Sequence, residues 1–384
     1  MASGAGTDAQ RAGVAIIGAG VIGAAIAHEL SSFGVDTLVF EAAAGSATGA
    51  SGTNAGIIHT GFDSQLGSFE TDMILAHGNR WRQIFDELAI PYVVTGAVML
   101  ALTLSEAAKL AALAENAAGN GIKVRQFDKG QVRNLAPYAR AQGGLLIPDE
   151  AITDPYEVVE RLLHAAGTIR YGTKVQSVEP HEHGVLLQTS DGAFTTRFAV
   201  NCAGLFADDI DGSGTFSITP RRGEFIVFPA EAAPLTDHIL LPVPKQETKG
   251  VLVFPTVHGN VCAGPTAVDQ SDKNDWRVRA EGTAEVRKSA LKLMPKLANF
   301  EPIDSWAGLR AVGHPHDYIV EWSKRVPALF NIAGIRSTGL SACLGISAYV
   351  IDRLRERGLA MGTRRSFAKA QPIIPKPWWQ RRRA

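Results

Sequence analysis

Three glycines and one acid carry the first chemical signal in the chain: Gly18-Ala19-Gly20-Val21-Ile22-Gly23, then Glu41. Each glycine has its own task in holding a dinucleotide. The first permits a tight turn after a strand, the second lets backbone approach a pyrophosphate, and the third lets helix and strand pack closely. A helix opening at Val21 and Ile22 turns unpaired N–H groups and the positive end of its dipole toward phosphate. A carboxylate about 20 residues on accepts hydrogen bonds from ribose hydroxyls, and Glu41 stands at that spacing. Downstream, the small residues of 49–56 let a loop lie close to the bound group, with Ser51, Thr53 and Asn54 as donors beside Ala55. The unit binds a dinucleotide without choosing between NAD and FAD.

The elements that must position these residues are legible nearby. Val14-Ala15-Ile16-Ile17 is a short apolar run, as expected of a buried parallel strand. Ala24 to Leu30 favours helix, Gly34 stops it, and Thr37-Leu38-Val39-Phe40 is a second strand. Strand, helix and strand make one βαβ unit. Further on, 104–119 reads as an amphipathic helix capped by Ser105, and Asp154-Pro155 opens another with an acidic cap and proline at its first position. Short strand-like runs follow at 172–178, 184–188 and 198–201, and again at 224–228, 250–254 and 261–264. Residues 281–293 read as helix, 329–333 as strand and 340–357 as helix.

The bulk numbers exclude several classes. At 384 residues the chain is comfortable for two domains. Lys+Arg and Asp+Glu are both 38, so no net field favours a nucleic-acid partner. Cys202, Cys262 and Cys343 show no metal-ligand spacing, and their small odd number suits a reducing cytoplasm without a disulfide framework. No metal site is expected. Residues 1–13 lack the apolar core of a signal peptide, and no run reaches the roughly 20 apolar residues of a membrane span.

Three later segments narrow the reading: Ala47-Thr-Gly-Ala-Ser51-Gly-Thr-Asn54-Ala-Gly56-Ile-Ile-His59-Thr-Gly61, Ala199-Val-Asn-Cys-Ala203-Gly204-Leu, and Asn331-Ile-Ala-Gly334-Ile-Arg-Ser-Thr-Gly339-Leu-Ser-Ala. From about residue 13 to 358 the chain resembles the D-amino-acid-oxidase-like superfamily of FAD enzymes. Within it, the chain looks most like the branch of FAD-dependent glycerol-3-phosphate dehydrogenases and oxidases and L-2-hydroxyglutarate dehydrogenases and oxidases. The resemblance implies noncovalent FAD and a mixed α/β fold. A discontinuous Rossmann-like FAD-binding domain would comprise 12–90, 150–215 and 306–360, with a β-rich substrate domain at 91–149 and 216–305. Residues 1–11 and 361–384 would be flexible tails. Val175 fits the strand whose backbone contacts adenine in relatives, Ala203, Gly204 and Gly308 would also face the cofactor, and Gly334 brackets the turn into the last helix. The N-terminal amides of that helix, around Gly339, Leu340 and Ser341, would stabilise charge developing on the flavin.

The same resemblance implies a chemistry: hydride transfer from a secondary alcohol to flavin N5, on a small anionic substrate, most simply glycerol 3-phosphate or a related polyol phosphate. His59 would take the hydroxyl proton. Arg310 would hold the anion through its guanidinium fork, with Arg336 as a second clamp. His258 would contact substrate; His314 and His316 flank Pro315 near the same site, and one of Arg221 and Arg222 would point inward. The alternatives are a 2-hydroxy acid such as L-2-hydroxyglutarate, an amine or amino-acid substrate, or a flavin-binding subunit with little turnover. The electron acceptor would be oxygen, a quinone or a partner protein. Cys343 does not align with a covalent flavin attachment. In the tail, Trp378-Trp379 beside Arg381-Arg382-Arg383 pairs rings with cations, which suits peripheral contact with the inner face of the cell membrane as well as a solvated tail.

Overall fold

The computed structural model describes residues 11–76, 78, 80–164, 166–244, 250–367, 370–371 and 376–381. Nine of its elements carry the discussion: β1 (Arg11–Ile17), α1 (Val21–Ser32), β2 (Thr37–Phe40), α2 (Pro155–His164), β3 (Gly192–Asn201), β4 (Ser217–Phe228), β5 (Asp304–His314), β6 (Leu329–Ala333) and α3 (Gly339–Glu356).

The first sheet runs Val175–His181, Gly184–Thr189, β3, β1, β2, Thr168–Arg170, with β6 also on β3. Its heart is parallel: β1 pairs with β2 on one side and with β3 on the other, and β3 pairs with β6. That arrangement buries both faces of β1, which is why Val14 to Ile17 is uninterruptedly apolar. Val14 and Ile16 pack with α1 and α3, while Ala15 and Ile17 join Leu38, Phe40 and Val178 behind the sheet.

The second sheet has nine strands and is largely antiparallel. Its longest pairing is β4 with β5, from Ser217↔His314 to Val227↔Asp304. A helix, Ala280–Leu293, lays Val286, Ala290 and Leu293 against one face. The expected domain boundary at residue 306 falls inside this pairing. The segment Asp304–His314 belongs to the second sheet, and the chain returns to the first only at Ile319–Trp322 and β6. An apolar strand reads alike in either sheet; only its partner decides.

Two further expectations change. The helix at 104–119 is two helices, Leu104–Ala107 and Leu110–Gly119, and its cap is Thr103 rather than Ser105. Thr103 and Glu106 form a reciprocal capping box, which Ser105 has no acid in position to complete. Asp154 does cap α2, accepting from the N–H groups of Tyr156 and Glu157.

The larger correction concerns the tail. Trp378 and Trp379 are 1% and 3% exposed, on the short helix Trp378–Arg381. They lie against Trp306 and His258. Arg381 donates to Glu157, and its guanidinium lies over Tyr156. Trp378, Trp379 and Arg381 are thus docked on the protein, while residues 362–366 are exposed. The two indoles are enclosed by protein, which removes the apolar half of the expected membrane contact. Residues 368–369, 372–375 and 382–384 of that tail, like 1–10, lie outside the described residues. No described helix is long and apolar enough to cross a membrane.

Candidate active site

Two cavities, of about 870 and 740 Å³, adjoin and share Ala50, Asn54 and Arg336 in their walls. Both volumes fall in the usual range for ligand sites, roughly 300–1,000 Å³.

The larger opens beside the start of α1. Gly18 has φ +107°, and a Cβ there would meet the Cys202 carbonyl oxygen at 2.5 Å. A Cβ on Gly23 would lie 2.0 Å from the Gly18 carbonyl oxygen, so α1 can follow β1 this closely only with glycine. Gly20, Val21 and Ile22 line the cavity. The Glu41 carboxylate is held by the N–H groups of Ala19 (2.8 Å) and Ala43 (2.9 Å), fixing it at the cavity wall. Ser51 Oγ accepts from Val21 N–H at 2.9 Å, tying the 49–56 loop to the start of α1. Thr53 turns its hydroxyl back onto Ala50 and Gly49. Its carbonyl accepts from the Trp306 indole, and Gly308 gives β5 room to lie against it. Asn54 accepts from Gly56 N–H and donates to the Ser337 carbonyl. Val175, Ala203, Gly204, Gly334, Gly339 and Leu340 line the cavity as well. Ser341 does not; its hydroxyl accepts from His59 N–H at 2.8 Å.

The smaller cavity brings His59, Arg310 and Arg336 together, with Ala55 and Gly308 in its wall. His59 Nδ1 lies 2.9 Å from Glu150 Oε2, and Glu150 is 1% exposed while His59 is 27% exposed. The other carboxylate oxygen accepts from Thr60 N–H at 2.7 Å and Thr60 Oγ1 at 2.9 Å. Glu150 was not among the residues expected from the sequence. It sits at a strand boundary 91 positions from His59, and nothing local distinguishes it from a solvated turn acid.

Arg310 extends from β5 into the wall between the sheets. Its guanidinium donates to the carbonyls of Thr266 (2.6 Å) and Arg222 (3.1 Å). No carboxylate among the described residues pairs with it directly. Burial pushes its pKa down, to about 10, so it is a cation at neutral pH. The other two arginines are already paired: Arg221 with Asp269, and Arg336 with Asp317 at 2.8 Å and with Glu70 at 3.7 Å. Glu70 also accepts from Thr338 Oγ1, which bonds Tyr318 Oη, and burial pushes that phenol's pKa well up. Arg222 points into the protein instead, on the carbonyls of Asp275 and Arg277.

His258 is corrected. Its Nε2 bonds Asp154 Oδ2 at 2.8 Å and its ring lies against Trp378 and Trp379, away from either cavity wall. His316 lines the smaller cavity; His314 instead meets Thr219. Cys343 is buried in α3 with Sγ on the Leu340 carbonyl. Among the described residues no cluster of three metal-type side chains occurs.

The profile of the FAD dependent oxidoreductase (DAO) family matches residues 13–353. A glycerol 3-phosphate dehydrogenase of Caloramator mitchellensis is 31% identical over 376 residues, covering 94% of this chain and 78% of that one. An L-2-hydroxyglutarate dehydrogenase of Escherichia coli is 30% identical over 278 residues, 69% of this chain and 66% of its own. Among solved structures, the FAD-bound, dithionite-reduced L-alpha-glycerophosphate oxidase of Mycoplasma pneumoniae superposes with a TM-score of 0.88 at 24% identity. It spans 96% of this chain and all of its own, a likeness of fold.

Proposed function

Because the chain belongs to the FAD dependent oxidoreductase family, we propose that it oxidises the secondary alcohol of a small anionic substrate, glycerol 3-phosphate or a close polyol phosphate. One observation carries the reading. A single cavity holds an imidazole backed by a buried carboxylate and one buried guanidinium that no described carboxylate pairs with.

FAD is the cofactor, held noncovalently, and the larger cavity fits it. Gly18 and Gly20 keep the cradle free of side chains, the start of α1 would take the pyrophosphate, and Glu41 would take the ribose hydroxyls. The 49–56 loop and the start of α3 would hold the flavin end. When bound, the flavin supplies the hydride acceptor. The rest falls to this chain's side chains. Arg310 binds the anion through Nη1 and its charge, since Nε and Nη2 already donate to the Arg221, Arg222 and Thr266 carbonyls. His59 accepts the hydroxyl proton through Nε2, since Nδ1 is committed to Glu150.

The charge pattern favours a polyol phosphate over L-2-hydroxyglutarate. A substrate with two carboxylates needs two cations, and among the described arginines of this wall both Arg221 and Arg336 already hold acids. A polyol phosphate has one charged end and otherwise hydroxyls, which suit Glu70, Asp317 and Tyr318 in the same wall. The E. coli relative keeps the hydroxy-acid reading as the second choice. An amine substrate has least support, because it loses its hydride without needing a base for a hydroxyl proton. The electron acceptor is a second substrate of the reaction, and three free, buried cysteines accord with a cytoplasmic location.

The test is anaerobic bleaching of the FAD-loaded protein by glycerol 3-phosphate, L-2-hydroxyglutarate and an amino acid in turn. Glycerol 3-phosphate should bleach it fastest. Bleaching by L-2-hydroxyglutarate alone would move the assignment to the hydroxy acid, and bleaching by none would reduce the chain to a flavin carrier.

A further inference from the structure

We infer that Glu150 is a positioning residue for the proton transfer: it fixes the His59 tautomer, keeping the proton on Nδ1 so that Nε2 presents its lone pair to the substrate hydroxyl. The inference rests on His59 acting as the base and adds the device that makes it one.

The geometry assigns each oxygen of Glu150 a separate partner. Oε1 accepts from Thr60 N–H at 2.7 Å and from Thr60 Oγ1 at 2.9 Å, so it is held by two donors of the residue next to His59. Oε2 faces His59 Nδ1 at 2.9 Å. An ionised carboxylate only accepts, so the imidazole must donate from Nδ1. The backbone of His59 is fixed independently, its N–H donating to Ser341 Oγ at 2.8 Å at the start of α3. The ring is therefore held at its backbone and at Nδ1, by groups from two distant parts of the chain. Because Glu150 is 1% exposed, solvent does not compete for that bond. The carboxylate also stabilises the imidazolium that forms when the proton arrives, as an orienting acid does in other histidine bases.

The distinct roles of the two oxygens give a clean variant. In Glu150→Gln the two Thr60 donors select the amide oxygen for their side. The amide nitrogen then faces Nδ1 and donates to it. The neutral ring must carry its proton on Nε2, where it can no longer accept one from substrate. Shape and volume are unchanged; only the tautomer is reversed.

Two measurements test this. The first needs no substrate: NMR of ¹⁵N-histidine-labelled, FAD-loaded protein, with His59→Gln identifying the resonance. It should show Nδ1–H in the wild type and Nε2–H in Glu150→Gln. The same tautomer in both proteins overturns the inference. The second is the rate of anaerobic flavin bleaching by glycerol 3-phosphate as a function of pH. Glu150→Gln should slow bleaching about a hundredfold or more while leaving FAD content intact. Its acidic limb should move to lower pH, because the charge that favours imidazolium is gone. Glu150→Asp should recover part of the rate with the limb near its wild-type position. Among the described residues, the cavity's other ionisable groups (Asp63, Glu70, Asp317, His316, Tyr318 and the three arginines) are the same in every variant, so a moved limb is assigned to the His59–Glu150 pair. A slower rate with an unmoved limb would make Glu150 merely structural and overturn the inference. If glycerol 3-phosphate fails to bleach the wild type, the substrate assignment falls, and the tautomer measurement still decides the role of Glu150.

Discussion

Trp306 and Trp379 lie stacked, with ring centroids 6.0 Å apart and planes 13° from parallel. Trp306 also stacks on Phe225, at 4.6 Å and 5°. Phe225 lines the smaller cavity, and the Trp306 indole N–H donates to Thr53 in the loop between the two cavities. A residue near the end of the chain therefore supports a cavity wall through one intervening ring.

Replacing Trp379 by alanine should accordingly destabilise the protein by about 3 kcal/mol, the usual cost of emptying a buried tryptophan site. Urea unfolding checks this. The same variant should weaken substrate binding more than it slows bleaching at saturation, since Phe225 loses its backing while His59 and Glu150 keep theirs. A variant as stable as the parent would show that the tail contributes nothing to the wall.

Arg310→Ala should retain FAD and lose affinity for glycerol 3-phosphate by at least about thirtyfold, because truncating a buried charge partner commonly costs 2 kcal/mol or more. The parent's pH dependence has a definite sign. Burial lowers the Arg310 pKa to about 10. The cation that attracts the anion is thus fully present at neutral pH and is lost as pH rises through about 10. Substrate dissociation constants should stay level from pH 7 to 9 and increase above that, and Arg310→Lys should recover charge but not the full set of bonds to the Arg222 and Thr266 carbonyls that fixes the cation.

What was legible in the sequence was what local sterics dictates. Gly18, Gly20 and Gly23 announce a strand, a phosphate turn and a close-packed helix, and at Gly18 and Gly23 a Cβ would strike backbone carbonyls at 2.5 and 2.0 Å, while at Gly20 it would crowd only the Ser51 hydroxyl, at 3.1 Å. Asp154 before Pro155 marks a helix start for reasons contained in four residues. Glu150 was not legible, since its identity as a partner depends on a contact across 91 positions. The burial of Trp378 and Trp379 was hidden for a related reason. Their slot is built by Trp306 and His258 from two separate segments, and beside arginines and prolines two indoles read as tail. His258 was misassigned on the same account: only the fold shows that Asp154 and the two indoles claim it.

Gly345 tests the packing that supports the mouth of the substrate cavity. It lies in α3, and a Cβ on it would stand 2.0 Å from the Met73 carbonyl oxygen in the helix Phe69–Ala76. That helix also carries Glu70, which pairs with Arg336 and accepts from Thr338. Gly345→Ala should force the two helices apart and cost roughly 1–3 kcal/mol, as overpacking does. Thermal unfolding measures the loss. Weakened substrate affinity should accompany it, because Glu70 moves with its helix.

Lys273 should govern how long FAD stays bound. Its ammonium lies 2.7 Å from Asp208 and 3.2 Å from Asp209, on the segment following β3, and its side chain is only 18% exposed. The stretch it anchors brings Asn274 and Trp276 to the wall of the nucleotide cavity. Arg222 holds the same stretch from beneath, on the carbonyls of Asp275 and Arg277. Lys273 is thus the ionic fastening between this stretch and the nucleotide-binding half. In Lys273→Ala that fastening is gone while Arg222 still shapes the stretch, so the fold should persist and FAD should escape faster. A partly exposed ion pair contributes up to about 1 kcal/mol, which is a release rate raised roughly fivefold. The recovery of flavin fluorescence after dilution reads the rate directly. Added salt should speed release from the parent and have much less effect on the variant, since screening acts on the pair that the variant lacks. Equal salt dependence in the two proteins would assign FAD retention elsewhere.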